Sequence, residues 1–173
     1  FQAVKKSLKK ILDKNSSGEV VRNDHSIWYR ELFAPSVNAG LIGASDLAGY
    51  RNQPVYIRKS RHVPPRYEAV RDLMPAFFSL LKGEENPAVK AVLGHFFFVY
   101  IHPYIDGNGR MGRFLMNAML ADGGYPWTVI PVETRNEYMA TLEEASVRKN
   151  IESFSRFLAE LVQKGITTVQ QAK

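Results

Sequence analysis

The sequence predicts an all-α domain with one short β-hairpin attached, and three observations predict it. Residues 88–101 are apolar nearly all round, as in a helix buried at the centre of a domain. Most other segments carry apolar residues at helical spacing, and only residues 54–63 alternate as a strand does. No βαβ pattern, internal repeat or low-complexity tract interrupts the series.

Taken in order, residues 2–14 give an amphipathic helix with Val4, Leu8, Ile11 and Leu12 on one side, which Ser16-Ser17-Gly18-Glu19 breaks. Residues 24–34 and 66–82 also read as helices. The latter places Val70, Leu73, Met74, Phe77, Leu80 and Leu81 on its apolar side, with Gly83 just past its end. Between them, Val55 and Ile57 suggest a strand, Arg58-Lys59-Ser60 a turn, and Val63 a return before Pro64-Pro65 stops the pattern. Asn86-Pro87 starts the buried helix, a capping residue followed by proline at the first helical position. His102-Pro103 ends it, because a residue before proline is pushed out of the α region. A further helix begins near Gly109, with Met111, Phe114, Leu115, Ala118 and Met119 on one face, and Gly123-Gly124 stops it. Two more run over about 134–146 and 150–164. One domain over 1–173 is expected, its core at about 45–160 and its first helix within 1–20.

Composition narrows the function classes. At 45% hydrophobic and 23% charged, the 173 residues are those of an ordinary globular chain. Cysteine is absent, which excludes disulfides, thiolate metal sites and cysteine nucleophiles and fits a reducing, cytoplasmic setting. The run Phe96–Ile101 is far short of the ~18 residues of a membrane span. Net charge is +6, which favours anionic partners. The lysine cluster Lys5, Lys6, Lys9 and Lys10 reads as a solvated face. No signal peptide opens the chain, and it starts on Phe1 rather than Met, so a native N-terminal segment is expected to be missing.

The chemistry concentrates in residues 102–113, His-Pro-Tyr-Ile-Asp-Gly-Asn-Gly-Arg-Met-Gly-Arg. A titratable imidazole, His102, stands at the end of the buried helix and suits a general base. Four residues on, Asp106 offers an oxygen ligand for Mg²⁺ shared with phosphates. Gly107-Asn108-Gly109 then leads into a helix N-terminus, whose free N–H groups and dipole favour an anion. Arg110 and Arg113, three apart, are placed to clamp phosphates from one side. The stretch also matches G-x-G-x-x-G, but a helix precedes it where the dinucleotide fold needs a strand, so a dehydrogenase is excluded.

The same residues resemble the Fic signature, H-x-F-x-[D/E]-G-N-G-R-x-x-R, with Tyr104 in place of Phe. The likeness extends over about residues 45–160. Tyr50-Arg51, Val55-Tyr56-Ile57 and His62-Val63-Pro64-Pro65 resemble the family's flap, a hairpin that holds the target segment by strand addition. Gly124-Tyr125-Pro126 and Arg135-Asn136-Glu137-Tyr138 resemble segments beyond the motif. The resemblance implies a Fic fold around a buried central helix, and transfer of AMP from ATP to a Ser, Thr or Tyr hydroxyl of a protein. It implies that His102 deprotonates the hydroxyl and Asp106 binds Mg²⁺. Gly107, Asn108 and Gly109 then cradle the α- and β-phosphates, Asn108 also through its side chain, with Arg110 at the β-phosphate and Arg113 at the γ-phosphate. Tyr138 is a candidate for the adenine pocket or for the core, and Val55, Tyr56, Ile57 and His62 for the target-binding flap.

Other residues carry blander expectations. His95 reads as a buried histidine bonded to a neighbour rather than as part of a metal site with His102 and Asp106. Phe96, Phe97 and Phe98 read as core. Rival functions are γ-phosphate transfer or AMP removal at the same site, and a basic nucleic-acid-binding module. The last finds no helix-turn-helix or interleaved aromatic–basic pattern, so nucleic acid is not an expected partner. Fic proteins are commonly held off by a helix bearing [S/T]-x-x-x-E-[G/N]. No Ser or Thr here has Glu four residues later, so the lock is expected on a missing segment or an antitoxin-like partner.

Overall fold

The computed structural model describes residues 2–13 and 16–171. Seven α-helices occupy them: α1 Gln2–Leu12, α2 Ser17–Asn38, α3 Tyr67–Gly83, α4 Pro87–Ile101, α5 Asn108–Asp122, α6 Arg135–Arg148 and α7 Glu152–Gln171. A 3-10 turn over Ala44–Leu47 follows α2. The helix expected to reach residue 14 is seen through Leu12, and Lys14 lies outside the described residues.

Helices α4 and α5 form the central pair. α1 and α2 pack on α5, α3 packs on α2 and α4, and α6 and α7 pack on each other and on α4. Asn86 caps α4, its side chain accepting from Ala88 and Val89 N–H at 2.9 and 3.3 Å. The two central helices approach closely at Gly112, where a Cβ would stand 2.9 Å from Val99 Cγ1 and 3.1 Å from His95 Nδ1. Any side chain there would force α4 and α5 apart.

Helices α2 and α7 run beyond their sequence pattern, α7 to Gln171 where about 164 was expected. α2 starts at Ser17, inside the segment expected to be a break. Ser17 Oγ donates to Asp122 at 2.6 Å and Lys82 pairs with Glu19, so contacts with α5 and α3 override poor local propensity. Leu80, expected on the apolar side of α3, is exposed, while Phe78 is buried in its stead.

The expected β-hairpin is the main correction. Among the described residues there is no strand, and residues 54–63 form an irregular excursion with a tight turn at Arg58–Lys59. The turn itself exists: Ser60 N–H donates to Ile57 O at 3.1 Å, and Lys59 has φ 62°. The ladder fails because the return arm has few donors left. The Arg61 N–H goes to Glu143 and the His62 N–H to Ser60 Oγ, while Pro64 and Pro65 have none.

Candidate active site

A cavity of about 610 Å³ opens between the irregular segment 54–63 (here called the flap), α4, α5 and α6, with Ile57, His62, His102, Gly109, Arg113 and Tyr138 in its wall. These six came from sequence reasoning. Val55 and Tyr56 do not join them. They line a separate recess of about 390 Å³ with Arg66 and Tyr67.

His102 reaches the cavity because α4 stops there. It takes the left-handed C-cap conformation, φ 54° and ψ 59°, while its N–H still donates to Phe98 O at 3.0 Å. Its Nδ1 lies 3.1 Å from the Val99 carbonyl oxygen. A carbonyl only accepts, so Nδ1 carries the proton and Nε2 keeps its lone pair. Burial lowers the pKa of the ring, helped by the nearby charges of Arg51 and His62 and opposed by the Val99 bond and Asp106. The imidazole is therefore neutral in neutral solution, the state a general base requires.

The loop after Pro103 is held by Asn108. Its Oδ1 accepts the Tyr104 N–H at 2.9 Å and its Nδ2 donates to Tyr104 O at 2.8 Å, with only 2% of the residue exposed. The side chain locks the loop; the N–H groups of α5 remain as the anion-facing donors. Gly107, at φ 78°, is the N-cap of α5, and a Cβ there would stand 2.7 Å from Phe33 Cε2. A glycine cap supplies no side-chain acceptor, and the first turn of α5 holds no acidic residue. The initial N–H groups thus keep their capacity for an anion.

The two arginines part company. Arg113 lines the cavity, and its positive charge acts on the Tyr138 hydroxyl against the effect of burial. Arg110 lies over the Phe33 ring at 4.8 Å and pairs with Asp106 at 3.2 Å. The Asp106 side chain is 75% exposed. Tyr138 belongs to the core and also reaches the cavity wall: it is buried, and its hydroxyl meets His95 Nε2 at 2.8 Å. Burial raises that hydroxyl to about 12. His62 is an anchor, its Nε2 donating to Tyr100 O at 2.9 Å.

Two residues complete the site: Arg51, which the sequence placed in the flap with no task of its own, and Glu143, to which it assigned none. Arg51, 4% exposed, donates from Nε to His102 O at 2.8 Å and from Nη1 to Gln53 O at 3.2 Å. Its Nη2 reaches Pro65 O and Ile101 O, and its backbone N–H donates to Pro103 O at 2.8 Å. One guanidinium thus ties both roots of the flap to the carbonyls at the end of α4. Glu143 on α6 holds the flap tip, accepting from Ser60 Oγ at 2.5 Å and Arg61 N–H at 2.8 Å. A cation in a polar loop gives no sequence signal of burial, and Glu143 reads as one more solvated helix acid.

Among the described residues two buried side-chain atoms lack hydrogen-bond partners, and each gives a prediction. The Tyr104 ring stacks on Tyr29, centroids 3.6 Å apart and planes 6° from parallel, but its hydroxyl has no hydrogen bond. Tyr104→Phe should therefore raise stability by about 1 kcal/mol, since an unsatisfied buried hydroxyl costs about 1–3 kcal/mol. Thermal unfolding checks it. His95 is fully buried, its Nδ1 is unpartnered, and burial depresses its pKa to about 4. The neutral ring is favoured in the fold, so its contribution is complete above the unfolded value near 6.5 and is lost as pH falls towards about 4. Urea unfolding should show an acid loss of about 3 kcal/mol from this group, removed in His95→Gln.

These features define a class: an all-helical domain in which a half-buried imidazole at the end of one central helix shares a cavity with the glycine-capped start of the next. Residues 19–120, more than half the chain, match the family model described as Fic/DOC family, and the chain belongs to that family. It is 40% identical over 119 residues to protein adenylyltransferase Fic of Drosophila yakuba, covering 66% of this chain and 23% of that protein. Against the protein of that name in Nematostella vectensis it is 38% identical over 121 residues, covering 68% and 28%. The chain thus spans about a quarter of the length of these curated relatives. Among solved structures, Fic-1 (aa134 - 508) from C. elegans superposes with a TM-score of 0.74 at 24% identity, over 97% of this chain and 51% of that one. A Fic family protein from Desulfovibrio desulfuricans G20 superposes with a TM-score of 0.73 at 22% identity, over 99% and 52%. At these identities the structures establish the fold.

Proposed function

We propose that this chain transfers AMP from ATP to a hydroxyl of a protein substrate. The observation that carries the reading is the Val99 contact at His102 Nδ1, which leaves Nε2 unprotonated on a residue that lines one cavity with Gly109 and Arg113. The names of the curated relatives, protein adenylyltransferase, support it. In this reaction His102 Nε2 takes the proton of the target hydroxyl. The freed oxygen bonds to the α-phosphorus, the bridging bond to the β-phosphate breaks, and pyrophosphate leaves while AMP stays on the target. The first N–H groups of α5 bind the phosphate oxygens where charge develops. Arg113 takes the far phosphate, Arg110 the β-phosphate side, and Tyr138 the wall of the base pocket.

Asp106 is the residue that would hold Mg²⁺. Among the described residues no three His, Asp or Glu gather to hold a metal alone. A single exposed carboxylate at the loop fits an ion that arrives on phosphates, as Mg²⁺ commonly does. Bound there, the ion would neutralise phosphate charge. The absence of cysteine fits a reducing setting such as the cytoplasm. No helix among the described residues is long and apolar enough to cross a membrane.

ATP labelled at the α- or the γ-phosphate tests the reaction. Label should pass to protein from the α position and not from the γ position. Transfer of γ label would make this a phosphotransferase. Arg113→Ala should weaken ATP about tenfold or more and leave AMP nearly unchanged, as expected for loss of a charged contact to the far phosphate. Calorimetric titration of both nucleotides checks it, and equal losses would remove the assignment.

A further inference from the structure

Between Asp46 and Glu68 the chain carries Arg51, Arg58, Lys59, Arg61 and Arg66 and no acidic residue. Arg51 is buried and committed to backbone carbonyls, and Arg66 pairs with Glu68. The other three crown the flap tip, all exposed. Arg135, also exposed, stands opposite them at the start of α6. Arg58, Lys59 and Arg135 line one recess of about 410 Å³ with Ser60, Met139 and Glu143. Ser60, Arg135, Met139 and Glu143 also line the active-site cavity, so the two spaces share a wall.

The recess is short of counter-charge. Elsewhere on the molecule several basic groups have acidic partners, among them Lys10 with Asp24, Lys82 with Glu19, Lys90 with Asp122, Arg110 with Asp106 and Arg156 with Glu152. Glu143 is the acid in the recess, and both its oxygens are already used by Ser60 and Arg61. It holds the tip in place and faces the Arg61 charge. Arg58, Lys59 and Arg135 therefore keep their charge for a ligand. Like charges gathered around a concave space focus their field into it. Beside them, Tyr56 and Val63 stand 82% and 67% exposed. The flap thus offers apolar contact along its arms and positive charge at its tip.

We infer that the flap selects protein substrates whose modified hydroxyl lies near an acidic side chain, with that carboxylate entering the Arg58–Lys59–Arg135 recess. A nucleic acid fits less well, because the cations ring one small recess rather than tracking a backbone, and one exposed tyrosine is a poor stacking platform. The inference rests on the AMP-transfer reading and assigns that site a substrate class.

The test uses three fluorescent peptides, identical but for Glu, Gln or Lys residues flanking one central threonine, with the wild-type chain and Arg58→Glu/Lys59→Glu. Transfer from ATP·Mg²⁺ is followed together with peptide binding by anisotropy. The wild type should favour the Glu peptide over the Gln peptide by about tenfold in kcat/KM at low salt, an advantage that shrinks as salt rises. The double variant should reverse the order and favour the Lys peptide, with ATP affinity unchanged. Equal rates for Glu and Gln peptides would overturn the inference. So would loss of ATP affinity in the double variant, which would assign the recess to the nucleotide. Displacement of the Glu peptide by mixed DNA at lower concentration than by free Glu peptide would assign it to nucleic acid. If no peptide receives AMP, the AMP-transfer reading fails, and the binding order among the three peptides still decides the recess.

Discussion

Replacing His102 with alanine is expected to lower AMP transfer by a factor of about 10²–10⁴, the usual contribution of a positioned base. ATP affinity should hardly change, because the imidazole acts on the target hydroxyl and not on the nucleotide. The pH dependence should follow from the direction of the His102 shift. Burial lowers its pKa, so the base is unprotonated at neutral pH. Transfer should stay flat through neutral pH and fall only on the acid side, below the ordinary histidine value of about 6.5. A His102→Ala chain that transfers at near the wild-type rate, or an acid limb above neutral pH, would remove His102 from the role of base.

The second large effect is expected at Arg51, far in sequence from the motif. Its guanidinium satisfies carbonyls of Ile101, His102, Gln53 and Pro65 at once. Arg51→Met leaves those buried acceptors short of donors, at a cost of about 1–3 kcal/mol for each group left unsatisfied. Arg51→Lys keeps the charge, but an ammonium cannot reproduce the planar fork. We expect Arg51→Lys to fold with only modest loss of stability and to transfer AMP about tenfold more slowly, a loss of geometry rather than of binding. ATP affinity should hold, since Arg51 does not line the cavity proposed for the nucleotide. Hydrogen exchange should quicken over residues 53–65 in the same variant. Full activity in Arg51→Lys would mean that the flap roots and the end of α4 position themselves without it.

These two residues show what the sequence discloses and what it hides. His102 was legible because chemistry and punctuation coincide there: a histidine before proline at the end of an apolar helix, four residues before an acid and a glycine loop. The α4–α5 pair was legible for the same reason, from apolar periodicity and strong start and stop signals. Arg51 was not, because burial of a loop cation depends on carbonyls that lie 14 to 51 residues away. The flap misled because alternation at Val55 and Ile57 is a real strand pattern. The competing donors' partners, Glu143 and Ser60, become visible only once α6 is packed against the turn. Asn108 reads as a phosphate ligand in the motif, yet its amide closes the loop on Tyr104. The loop-locking role follows from a backbone geometry that a pattern of letters does not contain.

Intact-mass spectrometry tests the assignment of AMP transfer most directly. The wild-type chain and His102→Ala would each be incubated with ATP·Mg²⁺, alone and with an added protein substrate. We expect a mass gain of one AMP, on the chain or on the substrate, with the wild type and none with His102→Ala. A gain of one phosphate, or an equal gain of AMP with both chains, would contradict the assignment of His102 as the base for AMP transfer.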